Sequence, residues 1–293
     1  MTMMHAITFA MGLGNIVTSV LYAIALVGFL AFFIGKTDGT DQNTTKSSSV
    51  RWKPWEAISV SIFIYFFAQL FVGLTVYLAL GILGQTEAQT TDWLSNAVVG
   101  QFIMTFLIDA LAVGLLLLFL KSRRSTIKAL GINRRPRLND FGKALGGYLI
   151  YFGIYIIAAT LVSKFVPAID LEQKQQIGYD NVASLQLPLV FLSLVVLPPI
   201  MEELIMRGFL YTGLKNKLPR IVAIVITSVL FAVAHLQVGS GAPLLWVAAI
   251  DTFILSVVLI ELKDRTGSLW ASIFLHGLKN FVAFMSIFVL HLV

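Results

Sequence analysis

The stretch PLVFLSLVVLPPIMEELIMRGFLYTGL, residues 188–214, decides how this chain is read. It is longer than the roughly 20 apolar residues that cross a bilayer's hydrocarbon core as a helix. Yet it holds Glu202, Glu203 and Arg207 within six positions. A charge at the centre of a span costs about 2.5–3.5 kcal/mol on insertion scales, so three together call for a structural or chemical reason. Seven further apolar stretches lie around it, at 6–34, 55–84, 97–120, 141–166, 221–237, 243–262 and 269–291.

The composition agrees with that reading. Of the 293 residues, 58% are hydrophobic and 12% charged, with a mean hydropathy of +0.87. A soluble domain carries about 25% charge, enough to cover a water-facing surface. The chain therefore reads as an all-α polytopic membrane protein with about eight transmembrane helices. It has no cysteine, which excludes disulfides, thiolate nucleophiles and Cys-ligated metals. The first apolar stretch has no basic residue before Lys36, so it reads as a retained span rather than a secretory signal.

The net charge of +6 does not point to nucleic acid, because the positive residues are sorted by loop. Loops 36–54, 121–140, 215–220 and 263–265 together carry sixteen Lys and Arg, whereas the alternate loops carry only Lys174. The positive-inside rule then puts the basic loops in the cytoplasm and both termini outside. Short loops and a compact chain suggest a multi-pass protein of a bacterial plasma membrane. No fixed-period repeat or matching pair of broken helices appears, which counts against a repeat-built transporter.

Polar residues at membrane depth fall in one layer. At about 1.5 Å per helical residue, Glu202 lies roughly 20 Å from Lys215, His235 roughly 22 Å from Arg220, and His276 and Asn280 roughly 16 and 22 Å from Arg265. Three separate spans thus bring a carboxylate, two imidazoles and an amide to similar depth. Glu203 and Arg207 stand four residues apart and can pair along one helix face. Phe231 and His235 share the same spacing, as do His276 and Asn280. Pro198 and Pro199 disfavour continuous helix before them and are expected to start a new half-helix. Asp251 and Lys279, at similar depths on neighbouring spans, are expected to pair; Asp109 is a candidate for lining an aqueous cavity.

Glu-Glu-x-x-x-Arg at 202–207, Phe-x-x-x-His at 231–235 and His-x-x-x-Asn at 276–280 resemble the three motifs of the CAAX proteases and bacteriocin-processing enzymes, in order and in placement on three spans. The resemblance covers roughly 141–293, which suggests a division into an N-terminal three-helix region at 1–140, ending in the basic loop 121–140, and a catalytic membrane domain at 141–293. It implies peptide-bond hydrolysis in a water-accessible intramembrane cavity. Glu202 and His235 would position and deprotonate water, and His276 and Asn280 would stabilise the oxyanion. Glu203, Arg207 and Phe231 would support them. The substrate would be a peptide or membrane-anchored protein met within the bilayer, with no nucleic-acid partner. Two alternatives stay open at this point. Glu202, His235 and His276 could instead form a two-His, one-Glu zinc shell, against a metal-free mechanism with no cofactor. The same fold could also serve as a non-proteolytic transporter or immunity scaffold. Other intramembrane proteases fit less well: there is no His-Glu-x-x-His, no Gly-x-Gly-Asp, and Ser240 sits in a Gly-Ser-Gly turn.

Overall fold

The computed structural model describes residues 19–30 apart from 22, and residues 50–292 apart from 168, 172, 174–176, 180–181 and 237–243. Expectations for the N-terminus with His5, most of the 6–34 stretch, the 36–50 loop, Lys174 and the Ser240 turn lie outside the described residues.

Among the described residues the secondary structure is helical throughout, with no strand. The helices are α1 (Ser19–Leu30), α2 (Pro54–Ile82), α3 (Glu87–Ser95), α4 (Val98–Ser122), α5 (Leu138–Phe165), α6 (Ser184–Lys215), α7 (Arg220–Ala234), α8 (Trp246–Thr266) and α9 (Trp270–Val289). Five of them, α2, α4, α5, α6 and α9, are long and apolar enough to cross a membrane. Helices α1 and α7 are apolar but shorter. Helix α8 is 21 residues long and ends in the charged run Glu261, Lys263, Asp264 and Arg265.

Helix starts follow local chemistry. Glu56, in the first turn of α2, accepts a hydrogen bond from the Lys53 amide at 2.7 Å, tying off an otherwise orphaned donor. Its other oxygen accepts from Arg123 Nη2 at 2.8 Å, joining the start of α2 to the end of α4. Asp140 does the same at α5, accepting from the Arg137 amide at 2.9 Å and from both terminal nitrogens of Arg134 at 2.6 Å. That hydrogen-bonded carboxylate holds the Arg134 guanidinium above its usual pKa range. Thr86 and Gln89 form a reciprocal cap at α3.

Helix α6 is the centre of the bundle, packed against α2, α4, α7, α8 and α9. Every residue from Glu203 to Tyr211 is buried. Helix α5 packs on α8 and α9 and turns Leu149, Ile150, Ile157 and Leu161 outward, the apolar exterior expected where lipid is the solvent. The main core draws on α1, α2 and α4 as well as on α5 to α9. Asp251 and Lys279 pair at 2.6 Å, and Tyr151 donates its hydroxyl to the same carboxylate, so α5, α8 and α9 are linked through one acid.

Helix α6 is not a uniform α-helix, and the double proline explains why. Residues Leu192–Val196 and Glu203–Tyr211 are π-helical, on either side of an α-turn at Leu197–Glu202. Pro198 has no N–H for the Leu194 carbonyl in α register, and Pro199 has none for it in π register. Leu194 O is thus left without a backbone donor either way. The new half-helix expected to start at the prolines is not found: Ser184–Lys215 runs on as one helix, and the prolines change its register without breaking it.

The alternation of basic loops predicts that residue 88 faces outward and residue 128 faces the cytoplasm. With no native cysteine, single Ala88→Cys and Lys128→Cys variants can be labelled on intact cells with an impermeant maleimide. Position 88 should label and position 128 only after permeabilisation; the reverse pattern would invert the topology.

Candidate active site

The buried ion pair of α6 lies at the base of the site. Arg207 Nη1 donates to Glu203 Oε1 at 2.8 Å, and both side chains are fully buried. The guanidinium also sits 4.1 Å from the centre of the Phe231 ring, on α7, where the negative ring face offsets part of its lost hydration. Arg207 Nε and Nη2 and Glu203 Oε2 have no other hydrogen-bond partner among the described residues, so pairing and the aromatic face bear most of the desolvation cost. Lys263 on α8 donates its ammonium to the Arg207 carbonyl, which also accepts from Thr212 Oγ1 at 3.1 Å. Trp52 Nε1 donates to the Phe209 carbonyl at 3.2 Å, and its ring stacks on Phe209. A β-carbon on Gly213 would come within 2.3 Å of that indole nitrogen, so glycine makes the room. The carbonyls of this π segment are therefore held by side chains from three other places in the chain.

Two histidines adjoin this base, His276 through Glu203 and His235 through Phe231. His276, on α9 and nearly fully buried, has Nδ1 3.0 Å from Glu203 Oε1. Its Nε2 is 3.8 Å from Glu202 Oε2, too long for a hydrogen bond. His235 follows the last turn of α7, with Nδ1 2.8 Å from the Phe231 carbonyl. A carbonyl only accepts, so Nδ1 of His235 carries the proton and Nε2 of the neutral ring is an acceptor. By the same logic the Glu203 carboxylate assigns the His276 proton to Nδ1. Phe231 lies against both rings, 4.6 Å from His235 and 5.9 Å from His276 between centroids.

Asn280 lies one turn beyond His276, and its Nδ2 donates at 2.8 Å to the Leu194 carbonyl, the one carbonyl stranded by Pro198 and Pro199. One N–H of the amide is thus committed to holding α6, and the other remains. Gly277 lets α9 approach closely: a β-carbon there would come within 3.3 Å of the Val195 carbonyl.

Glu202 takes no part in the ion pair. Its Oε2 is buried and has no hydrogen-bond partner among the described residues. It lines a cavity of about 10 Å³ together with Tyr65, Met201, Ile205, Met206, Phe231, Ala234 and His235. That is about the space one water requires. An apolar cavity of about 40 Å³ adjoins it, sharing Tyr65, Met206 and Ala234.

The structure therefore brings Glu202, Glu203, Arg207, Phe231, His235, His276 and Asn280 into one neighbourhood. Glu202 and His235 face the water-sized cavity; His276 and Asn280 do not line it. The residues expected as a zinc shell do not assemble one: among the described residues no three His, Asp or Glu side chains are grouped to hold a metal ion.

Residues 184–282, about a third of the chain, match the family model described as Type II CAAX prenyl endopeptidase Rce1-like. The similarity is to this segment alone. The matched Rce1-like segment spans all three motifs, in agreement with their resemblance to CAAX proteases, and the family is one of proteases. Neither curated proteins nor solved structures give a match.

Two residues of the neighbourhood lie outside the Rce1-like segment and were not singled out as a pair by sequence. Tyr65 on α2 lines the cavity, and Asp109 on α4 is buried with Oδ2 unpartnered among the described residues. Both carboxylates, Glu202 and Asp109, lie within electrostatic reach of the Tyr65 phenol. A depth count finds them: each is twelve residues from a basic loop residue, Lys53 or Lys121, roughly 18 Å, in the layer of Glu202.

Replacing Arg207 with Met strands a buried carboxylate and should cost about 3–5 kcal/mol. Adding Glu203→Gln should recover part of that loss; detergent denaturation curves of the single and double variants measure it, and additive losses would contradict the pairing. Asn280→Leu should cost about 1–3 kcal/mol, because Leu194 O is left unsatisfied.

Proposed function

We propose that the chain is an intramembrane endopeptidase that hydrolyses a peptide bond of a membrane-associated peptide or protein. The observation that carries this reading is the pairing of an unpartnered buried carboxylate, Glu202, with an accepting imidazole nitrogen, His235 Nε2, around a space for one water. These groups stand on a segment that matches a protease family.

The chemistry follows from those donors and acceptors. Glu202 takes a proton from water while the oxygen adds to the scissile carbonyl carbon, and His235 Nε2 accepts the second hydrogen of that water. The carbonyl oxygen becomes an oxyanion. His276, held through Nδ1 by Glu203, and the second N–H of Asn280 are the groups that stabilise it. Glu202 then returns its proton to the amide nitrogen, the C–N bond breaks, and a carboxylic acid, still carrying the second water hydrogen, and an amine leave. The ion pair with Arg207 keeps Glu203 aimed at His276.

The setting is a multi-pass protein of a bacterial plasma membrane, crossing about eight times with both termini outside. The family name makes a prenylated C-terminal CAAX peptide one substrate class; a lipid-anchored or extended unmodified peptide is the other.

Peptidomics of cells carrying wild-type or Glu202→Ala protein, at equal levels of folded enzyme, tests the reading. The variant should accumulate at least one uncleaved membrane-associated precursor, and so should His235→Ala and His276→Ala. Identical peptide pools in wild type and Glu202→Ala would overturn it.

A further inference from the structure

The water-sized cavity has three polar walls, and the proposed mechanism uses two. Glu202 and His235 come from the Rce1-like segment, and Tyr65 comes from α2, far upstream of it. All other lining residues are Met, Ile, Phe or Ala. A buried water makes about three hydrogen bonds. Glu202 Oε2 and His235 Nε2 can only accept, so together they take both hydrogens of a water between them. What remains is two lone pairs on its oxygen. A nucleophile needs one of them free, directed at the carbonyl carbon. The other is met by a donor, and the phenol is the donor available in this wall.

We propose that Tyr65 is a catalytic residue of the same site, donating its hydroxyl hydrogen to the attacking water and so fixing which lone pair faces the substrate. This rests on the hydrolase reading above and deepens it. The placement of α2 supports it: the helix packs on the π segment of α6, and Trp52, just before α2, is bonded to the Phe209 carbonyl of that segment. The rigid contact between α2 and α6 therefore sets the distance across the cavity. Glu202 and Asp109 are the charged groups within reach of the phenol, and Gln69, one turn on, is within hydrogen-bond reach of it. The N-terminal helices thus complete the chemistry and do more than anchor it in the membrane.

The test uses the full chain in proteoliposomes and an internally quenched peptide copied from the precursor that Glu202→Ala leaves uncleaved. Tyr65→Phe keeps the ring and its packing and removes only the donor. It should lower kcat about 10–100-fold, as expected for a displaced nucleophile, with KM within about twofold, because the water and not the peptide loses its partner. Rates are referred to monodisperse protein, and melting temperature in detergent should stay at the wild-type value. A kcat within about threefold of wild type, or a loss confined to KM, would overturn the role of Tyr65 while leaving the hydrolase reading intact. Tyr65→Trp, which fills the ring site without a hydroxyl at that position, should also lose kcat; wild-type turnover in it would equally overturn the role. Wild-type turnover in Glu202→Gln would remove the hydrolase reading itself, and the Tyr65 role with it.

Discussion

A guanidinium and a carboxylate, both fully buried at the centre of an apolar bundle, constrain everything around them. Neither charge is tolerable alone at that depth, so Glu203 and Arg207 must stay paired and the helix carrying them must be held in one register. Phe231 under the guanidinium, Lys263 on the Arg207 carbonyl and His276 on Glu203 are the consequences. Each ties a different helix to α6. The pair thus fixes α7, α8 and α9 relative to one another and, with them, the two imidazoles that face Glu202. Its value to the protein lies in specifying one arrangement more than in net stability.

The double proline supplies the second constraint. It removes backbone donors where α6 passes α9, and the chain answers with π turns and a side-chain amide. Asn280 therefore has two tasks, one structural and one chemical, and both follow from an amide having two hydrogens to give. The close approach at Gly277 belongs to the same contact. Three stretches that are far apart in sequence, 194–207, 231–235 and 276–280, are interdependent for these reasons, which is a physical account of why the motifs occur together.

Much of this was legible in the sequence. Charges too costly for an apolar span identified Glu202, Glu203 and Arg207, depth counting put His235, His276 and Asn280 in their layer, and the same counting paired Asp251 with Lys279. The parts that were not legible share one cause. Helical-wheel reasoning assumes 3.6 residues per turn, and the π segments at 192–196 and 203–211 depart from it. The partner of Asn280 and the role of Lys263 depend on carbonyls that those segments release. Tyr65 was hidden for another reason: a tyrosine in an apolar helix costs little, so it raises no alarm as a carboxylate does. The zinc alternative was not decidable from sequence, because the motif spacing is the same for either mechanism; among the described residues no three His, Asp or Glu side chains are grouped as metal ligands.

The central claim is that Glu202 makes water the nucleophile for a peptide bond inside the membrane. It is tested most directly by incubating proteoliposomes of the purified protein with a membrane-peptide extract in ¹⁸O-water and reading new C-termini by mass spectrometry. New C-terminal carboxylates should carry a single ¹⁸O in the wild type and should be missing with Glu202→Gln. Labelled termini that form equally with Glu202→Gln, or that never form, would contradict the account.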